Sequence, residues 1–347
     1  MMIDTEKIKI GRRLIGEGEP CYVIAEAGSN HNGDLQIAKE LIDAAADSGA
    51  DAIKFQVFSA SNHYSRKTPA HSDYKEHLYD LIKRLEIPRE WIADLKNYSD
   101  KKGITFFASP CDYDAVEQLE EIGVLLYKVS SFEIVDLCLI KYIASKQKPL
   151  IISTGLANME EIQDAYQVCV KVNNSDIIFL QCASSYPSKP EIMNLKSMET
   201  ISRAFHVITG LSDHTQNIHI PIAAVAMGAK VIEKHLTLNR KMDGPDHAFA
   251  IEPKDLEMLI RQIREVESSL GNGMKLGPSP EENEYYEKAR RSIHAAHNIS
   301  KGSRITSDMI IMKRPGYGIK PKFVDLIVGR EAKVDIDEDQ WISWDMI

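Results

Sequence analysis

Between residues 21 and 270 the chain repeatedly alternates a short apolar run, rich in β-branched residues, with a longer stretch of helical period. The runs fall at 21–25, 52–57, 105–108, 125–129, 150–152, 177–180, 207–211 and 230–232. Amphipathic stretches lie between them, among them 35–48, 90–102, 113–122, 159–172 and 218–228, and the last unit closes with 253–270, where Pro253 suits a first helical turn. Eight strand–helix units in about 250 residues match the count and length of a (β/α)8 barrel. An open doubly wound sheet is the alternative, but no GxGxxG turn follows the first run.

In a barrel the reactive side chains collect at the C-terminal ends of the strands. Those ends read Glu26; Lys54 and Gln56; Ser109; Lys128, Ser130 and Ser131; Ser153 and Thr154; Gln181, Ser184 and Tyr186; Ser212 and His214; and Glu233 and His235. Side chains alternate along a strand, so in Ala52-Ile53-Lys54-Phe55-Gln56-Val57 the apolar Ile53, Phe55 and Val57 face the helices. Lys54 and Gln56 then face the lumen, and the same rule points Glu26 inward. Serines close many strands simply because loops are polar. A lysine aimed into a barrel is different, because it is costly there unless it meets a charge.

His214 and His235 close two successive strands joined by one crossover helix. In a parallel sheet such strands are neighbours running the same way, so their imidazoles converge above the sheet, where a metal ion or an anion would sit. Most of the other histidines, such as His63, His71, His77 and His206, have no partner at a useful spacing.

The 347 residues are 44% hydrophobic and 27% charged, which is enough for a large barrel and a smaller unit. A net charge of −9 argues against a broad nucleic-acid footprint. The five cysteines form no CxxC pair and read as reduced thiols. No apolar run reaches membrane-spanning length and the first residues lack a signal-peptide core, so a cytoplasmic protein without membrane contact is expected. The boundaries expected are a barrel over 1–270, a Gly/Pro-rich charged linker over 271–288 and a small unit over 289–347. That unit's strand candidates are SIHAAHNI and DMIIMKRPG. With few large apolar side chains, it is expected to have a marginal core and to lean on another surface.

Longer motifs carry a resemblance. They are IAEAGSNHNGD (24–34), GADAIKFQ (49–56), YKVSSFEI (127–134), ISTG (152–155), GLSDHT (210–215), VIEKHLTL (231–238), GPDHAFAIEP (244–253) and RRSI…KRPG (290–316). Collinear over nearly the whole chain, they resemble the sialic acid synthase family, the nonulosonate synthases. The C-terminal unit is similar to the antifreeze-like, or SAF, domain that ends those enzymes.

The resemblance implies an enzyme that condenses phosphoenolpyruvate with an open-chain N-acyl amino sugar to give a nine-carbon α-keto acid and phosphate. It implies a divalent ion on His214 and His235, Mn²⁺ first and Mg²⁺ or Co²⁺ as alternatives, polarising the sugar aldehyde. Lys54, Ser109, Lys128, Ser131, Ser153 and Ser212 would hold phosphoenolpyruvate. Glu26 and Asp246 would be the acid–base pair. Gln56, Ser184, Tyr186 and Asp246 would face the sugar, with Ser184 standing where an asparagine is common in the family. Sugar contacts are also expected from residues 59–81. Arg314 of the KRPG motif would reach the neighbouring subunit's site in a domain-swapped homodimer. The GPDH form leans toward N-acetylneuraminate or legionaminate rather than pseudaminate. The rival readings are a sugar-phosphate synthase of the Kdo-8-phosphate type and a non-catalytic carbohydrate-binding homologue.

Overall fold

The computed structural model describes residues 7–69 and 77–347; His71 and part of the expected sugar-contact stretch lie outside them. The chain divides into two compact units, residues 1–271 and 272–347. Among the described residues no helix is long and apolar enough to cross a membrane.

The first unit opens with a hairpin, β1 (Ile8–Ile10) against β2 (Arg13–Ile15), in which Ile8 pairs with Ile15. Eight strands follow: β3 (Tyr22–Gly28), β4 (Ala52–Val57), β5 (Thr105–Pro110), β6 (Tyr127–Val129), β7 (Leu150–Ser153), β8 (Ile177–Cys182), β9 (Ile208–Asp213) and β10 (Val231–His235). Their order is β5-β4-β3-β10-β9-β8-β7-β6, and every paired neighbour is parallel. The two end strands, β5 and β6, lie against each other, so the sheet closes on itself as a (β/α)8 barrel. Local chemistry sets the helices. Asp34 caps Leu35–Asp47 by accepting from Gln36 and Ile37 amides, and Asn158 with Glu161 forms a capping box on Met159–Val170.

Period two sorts the strand side chains into two cores. Outward residues such as Val23, Ile53, Phe55, Phe106, Ile152, Phe179, Leu211 and Ile232 pack under the helices. Inward residues Tyr22, Ile24, Ala52, Phe107, Ile151, Ile178, Leu180, Ile208 and Val231 fill the lower lumen, joined there by Ile8, Ile10 and Ile15 of the hairpin. The hairpin is therefore a plug for the barrel floor. Further along the same inward face seven of the eight strands turn polar, β8 presenting Cys182 instead, and the strands run on through these residues instead of ending before them. β9 and β10 continue past the expected ends at 211 and 232 to Asp213 and His235.

The second unit pairs β11 (Ser292–Ala295) with β12 (Ile310–Lys313) antiparallel. It has a core of its own, built mainly of isoleucines that include Ile293, Ile299, Ile305, Ile319, Ile327, Ile336 and Ile342. The expectation of a marginal core overlooked that a small unit can be filled by one compact side-chain type. The expected linker is also partly ordered, with a short helix at Asn283–Lys288.

Candidate active site

The polar layer lies directly above the apolar plug and lines a cavity of about 940 Å³ at the C-terminal mouth of the barrel. Its floor is a ring of buried charges. The Lys54 ammonium lies 2.9 Å from Glu26 Oε2 and 3.7 Å from Glu233 Oε2, and donates to Ser109 Oγ at 3.2 Å. Lys128 donates to Ser153 Oγ at 2.7 Å and lies 3.7 Å from Glu233 Oε1, which also accepts from Ser212 Oγ at 3.0 Å. Gln56 Nε2 donates to Glu26 Oε1 at 2.8 Å.

Two lysines against two glutamates make this floor affordable in a dry interior. Burial pushes Glu26 above the usual carboxylate range, with Lys54 opposing it. Burial also pushes on Glu233, but Lys128 and Lys54 outweigh it and hold that carboxyl low. Burial lowers Lys128, which makes its charge the costlier of the two lysines.

Above the floor stand the imidazoles, whose ring centroids are 5.3 Å apart. His214 Nδ1–H donates to Ala183 O at 2.9 Å, which leaves the Nε2 lone pair free. His235 Nδ1 is buried without a hydrogen-bond partner, 3.7 Å from Asp246 Oδ2. One imidazole fixed through a backbone carbonyl, one orphaned ring nitrogen and an adjacent carboxylate suit a divalent cation. Burial raises Asp246 to about 6.

The walls come from loops. Tyr186, partly exposed, sits 4.4 Å from the His214 ring; Phe249, buried and not part of the lining, packs 5.0 Å from the His235 ring. Ser131 Oγ accepts from the Gly155 amide at 3.0 Å, and Ser184 Oγ is buried without a partner. A Cβ at Gly155 would come within 2.4 Å of Ser184 Oγ and 2.8 Å of Ser131 Oγ, so this backbone is kept bare where three loops meet. Gly28 (φ +52°) ends a bulge in β3 beyond Glu26.

The expected barrel residues Glu26, Lys54, Gln56, Ser109, Lys128, Ser131, Ser153, Ser184, Tyr186, Ser212, His214, His235 and Asp246 all line this one cavity. Gln181 turns outward to Met193 O, and Thr154 Oγ1 bonds Leu180 O; neither lines the cavity. Arg314, exposed, lies in the second unit just after β12. Glu233, read from the sequence as a strand-end residue but given no role, belongs to the floor, and Phe249 was missed altogether. His63, read as partnerless, lies with Cys111 and Glu133 in a cluster whose ligand atoms fall within 4.8 Å of one another. Chain spacing gave no sign of this, because the three come from separate loops.

A family model described as the NeuB family matches residues 41–275, and a SAF domain model matches 290–347. The chain belongs to the NeuB family. An N,N'-diacetyllegionaminic acid synthase of Campylobacter jejuni is 40% identical over 92% of this chain and 98% of its own length. The human N-acetylneuraminate-9-phosphate synthase is 36% identical over 96% and 95%. The crystal structure of an N-acetylneuraminic acid synthetase from Leptospira borgpetersenii, in complex with citrate, superposes with a TM-score of 0.75 at 37% identity, covering 82% of this chain and 96% of that one. The NeuB match spans most of the barrel strands, and the SAF match falls within the second unit.

Proposed function

We propose that this NeuB-family chain is a nonulosonate synthase that joins phosphoenolpyruvate to the aldehyde of an open-chain N-acyl amino sugar, N-acetylmannosamine or a 2,4-diacetamido-6-deoxyhexose. The observation that carries the reading is the floor and the pair above it: two buried lysines ringed by serine hydroxyls, directly beneath two imidazoles and a carboxylate.

Lys54 and Lys128, with Ser109, Ser131, Ser153 and Ser212, bind the carboxylate and phosphate of phosphoenolpyruvate; ammonium groups and hydroxyls answer a small dense anion well. His214 and His235 hold a divalent ion, Mn²⁺ above Mg²⁺ or Co²⁺, and Lewis-acid polarisation of the acceptor aldehyde is the chemistry such an ion supplies. Gln56, Ser184 and Tyr186 orient the sugar. The enol carbon attacks the aldehyde carbon and a C–C bond forms. Water then adds at C2, and the tetrahedral intermediate expels phosphate by C–O cleavage, leaving the α-keto acid. Glu26 and Asp246, both pushed upward by burial and Asp246 to about 6, serve as the acid–base pair for the alkoxide and the water. Arg314 completes the neighbouring subunit's site in a cytoplasmic, domain-swapped homodimer.

Phosphate release and product mass, measured with phosphoenolpyruvate, Mn²⁺ and a panel of free and phosphorylated amino sugars, test this. A nine-carbon keto acid from a free N-acyl amino sugar supports it, and the GPDH form favours the neuraminate or legionaminate type. Turnover confined to sugar phosphates would establish the second reading, which the name of the human relative keeps in play.

A further inference from the structure

Asp246 is carried by an irregular turn after β10 in which Asp243 and Gly244 are exposed and His247 is buried. Its carboxylate nevertheless stands at a definite point. It lies 3.7 Å from His235 Nδ1, and Gly28 leaves the backbone beside it bare, because a Cβ there would meet Asp246 Oδ2 at 3.3 Å. A side chain on an exposed turn does not keep such a place unaided, since the turn is free to shift in water. We propose that His247, gripped by the Asn32 side chain, is the positioning residue that sets Asp246 against the imidazole pair. This deepens the synthase reading and rests on the acid–base role Asp246 has there.

The hydrogen bonds around Asn32 fix one another's direction. Its Nδ2 donates to Asp243 O at 2.9 Å, which leaves Oδ1 as an acceptor, and His247 Nε2–H donates to it at 3.2 Å. His247 Nδ1 is then the bare nitrogen and accepts from the Thr237 hydroxyl at 2.7 Å. One amide from the loop after β3 therefore holds both ends of the stretch 243–247, and Thr237 pins the ring from just beyond β10.

The surroundings agree with this clip. Burial lowers the His247 pKa, with Asp243 opposing, which keeps the ring in the neutral form that the bond from Thr237 requires. Gly244, at φ +151°, is bare against the clip. A Cβ there would come within 2.7 Å of His247 Cδ2 and 3.1 Å of Asn32 Oδ1.

Kinetics and amide hydrogen exchange on the full chain test the clip. His247→Ala lets Asp246 drift and is expected to lower kcat about 10²-fold. Phosphoenolpyruvate affinity, read by calorimetry, should stay at the wild-type value, because the lysine floor is untouched. His247→Gln reaches as far as Nε2 and still donates to Asn32, so it should restore most of kcat. His247→Asn reaches only as far as Nδ1 and should not. Asn32→Gly removes the grip without touching the core, and glycine suits the φ of +51° there. Combined with His247→Ala, it should be no slower than His247→Ala alone. Exchange over 243–248, followed by mass spectrometry, should quicken in His247→Ala and in Asn32→Gly while β3 stays protected. An unchanged kcat in His247→Ala, equal kcat in the Gln and Asn variants, or unchanged exchange would overturn the assignment. If the wild type turns over no acceptor sugar, the synthase reading fails, and exchange alone decides the clip.

Discussion

Two buried lysine–carboxylate groups lie on opposite faces of the barrel sheet, the outer one on β9 and β10 and the inner one on β3, β4, β6 and β10. On the outer face Lys234 bonds Asp213 Oδ2 at 2.6 Å and Thr215 O at 2.5 Å, while Asp213 also accepts from the Thr215 amide and hydroxyl. The Lys234–Asp213 pair is closed and leaves no buried atom of either residue without a partner. On the lumen face Lys54, Lys128, Glu26 and Glu233 are as deeply buried, yet Glu26 Oε2, Glu233 Oε2, His235 Nδ1 and Ser184 Oγ have no hydrogen-bond partner. Lys54 lies 2.9 Å from Glu26 Oε2 but out of hydrogen-bond alignment. A closed pair holds a fold together; a set with spare valences, on the wall of a cavity, is built to meet a ligand.

Substitutions break this comparison in opposite directions. Lys54→Met is expected to lower kcat/KM for phosphoenolpyruvate condensation by about 10³-fold or more, as removal of a charge-stabilising donor does, with circular dichroism unchanged. Lys234→Met strands the Asp213 charge in the outer core. Urea unfolding should show a loss of about 3–5 kcal/mol, with kcat nearly normal in the folded fraction. Gly155→Ala forces a methyl against Ser184 and Ser131, so KM for phosphoenolpyruvate should rise about tenfold, or about 1.4 kcal/mol, in steady-state kinetics. Lys128→Met separates the two roles most finely. Burial penalises the Lys128 charge and Glu233 keeps Lys54, so thermal unfolding should move by less than about 1 kcal/mol while turnover falls.

How far the sequence could be read follows from the same geometry. Alternation along 52–57 correctly separated Lys54 and Gln56 from Ile53, Phe55 and Val57, because six residues give period two room to show. On β10 the reading stopped the strand at Ile232. Glu233 and His235 were placed at its end, but only alternation carried on through Glu233, Lys234 and His235 puts Lys234 on the outer face. The plug hairpin Ile8–Ile15 was not read at all, since two three-residue strands are too short for a periodic signal. Phe249 and the His63, Cys111 and Glu133 cluster are products of loop packing between separate units, which no local pattern encodes. Arg314 rests on motif resemblance alone.

The central claim is that the lumen charges form an open anion site. Calorimetric titration of phosphoenolpyruvate into wild type, Lys128→Met and Lys234→Met tests it most directly. Binding by wild type and by folded Lys234→Met, weakened about tenfold or more in Lys128→Met, is the result expected when one of two ammonium groups is lost from a buried anion pocket. Equal binding by all three proteins, or none by the wild type, would contradict it.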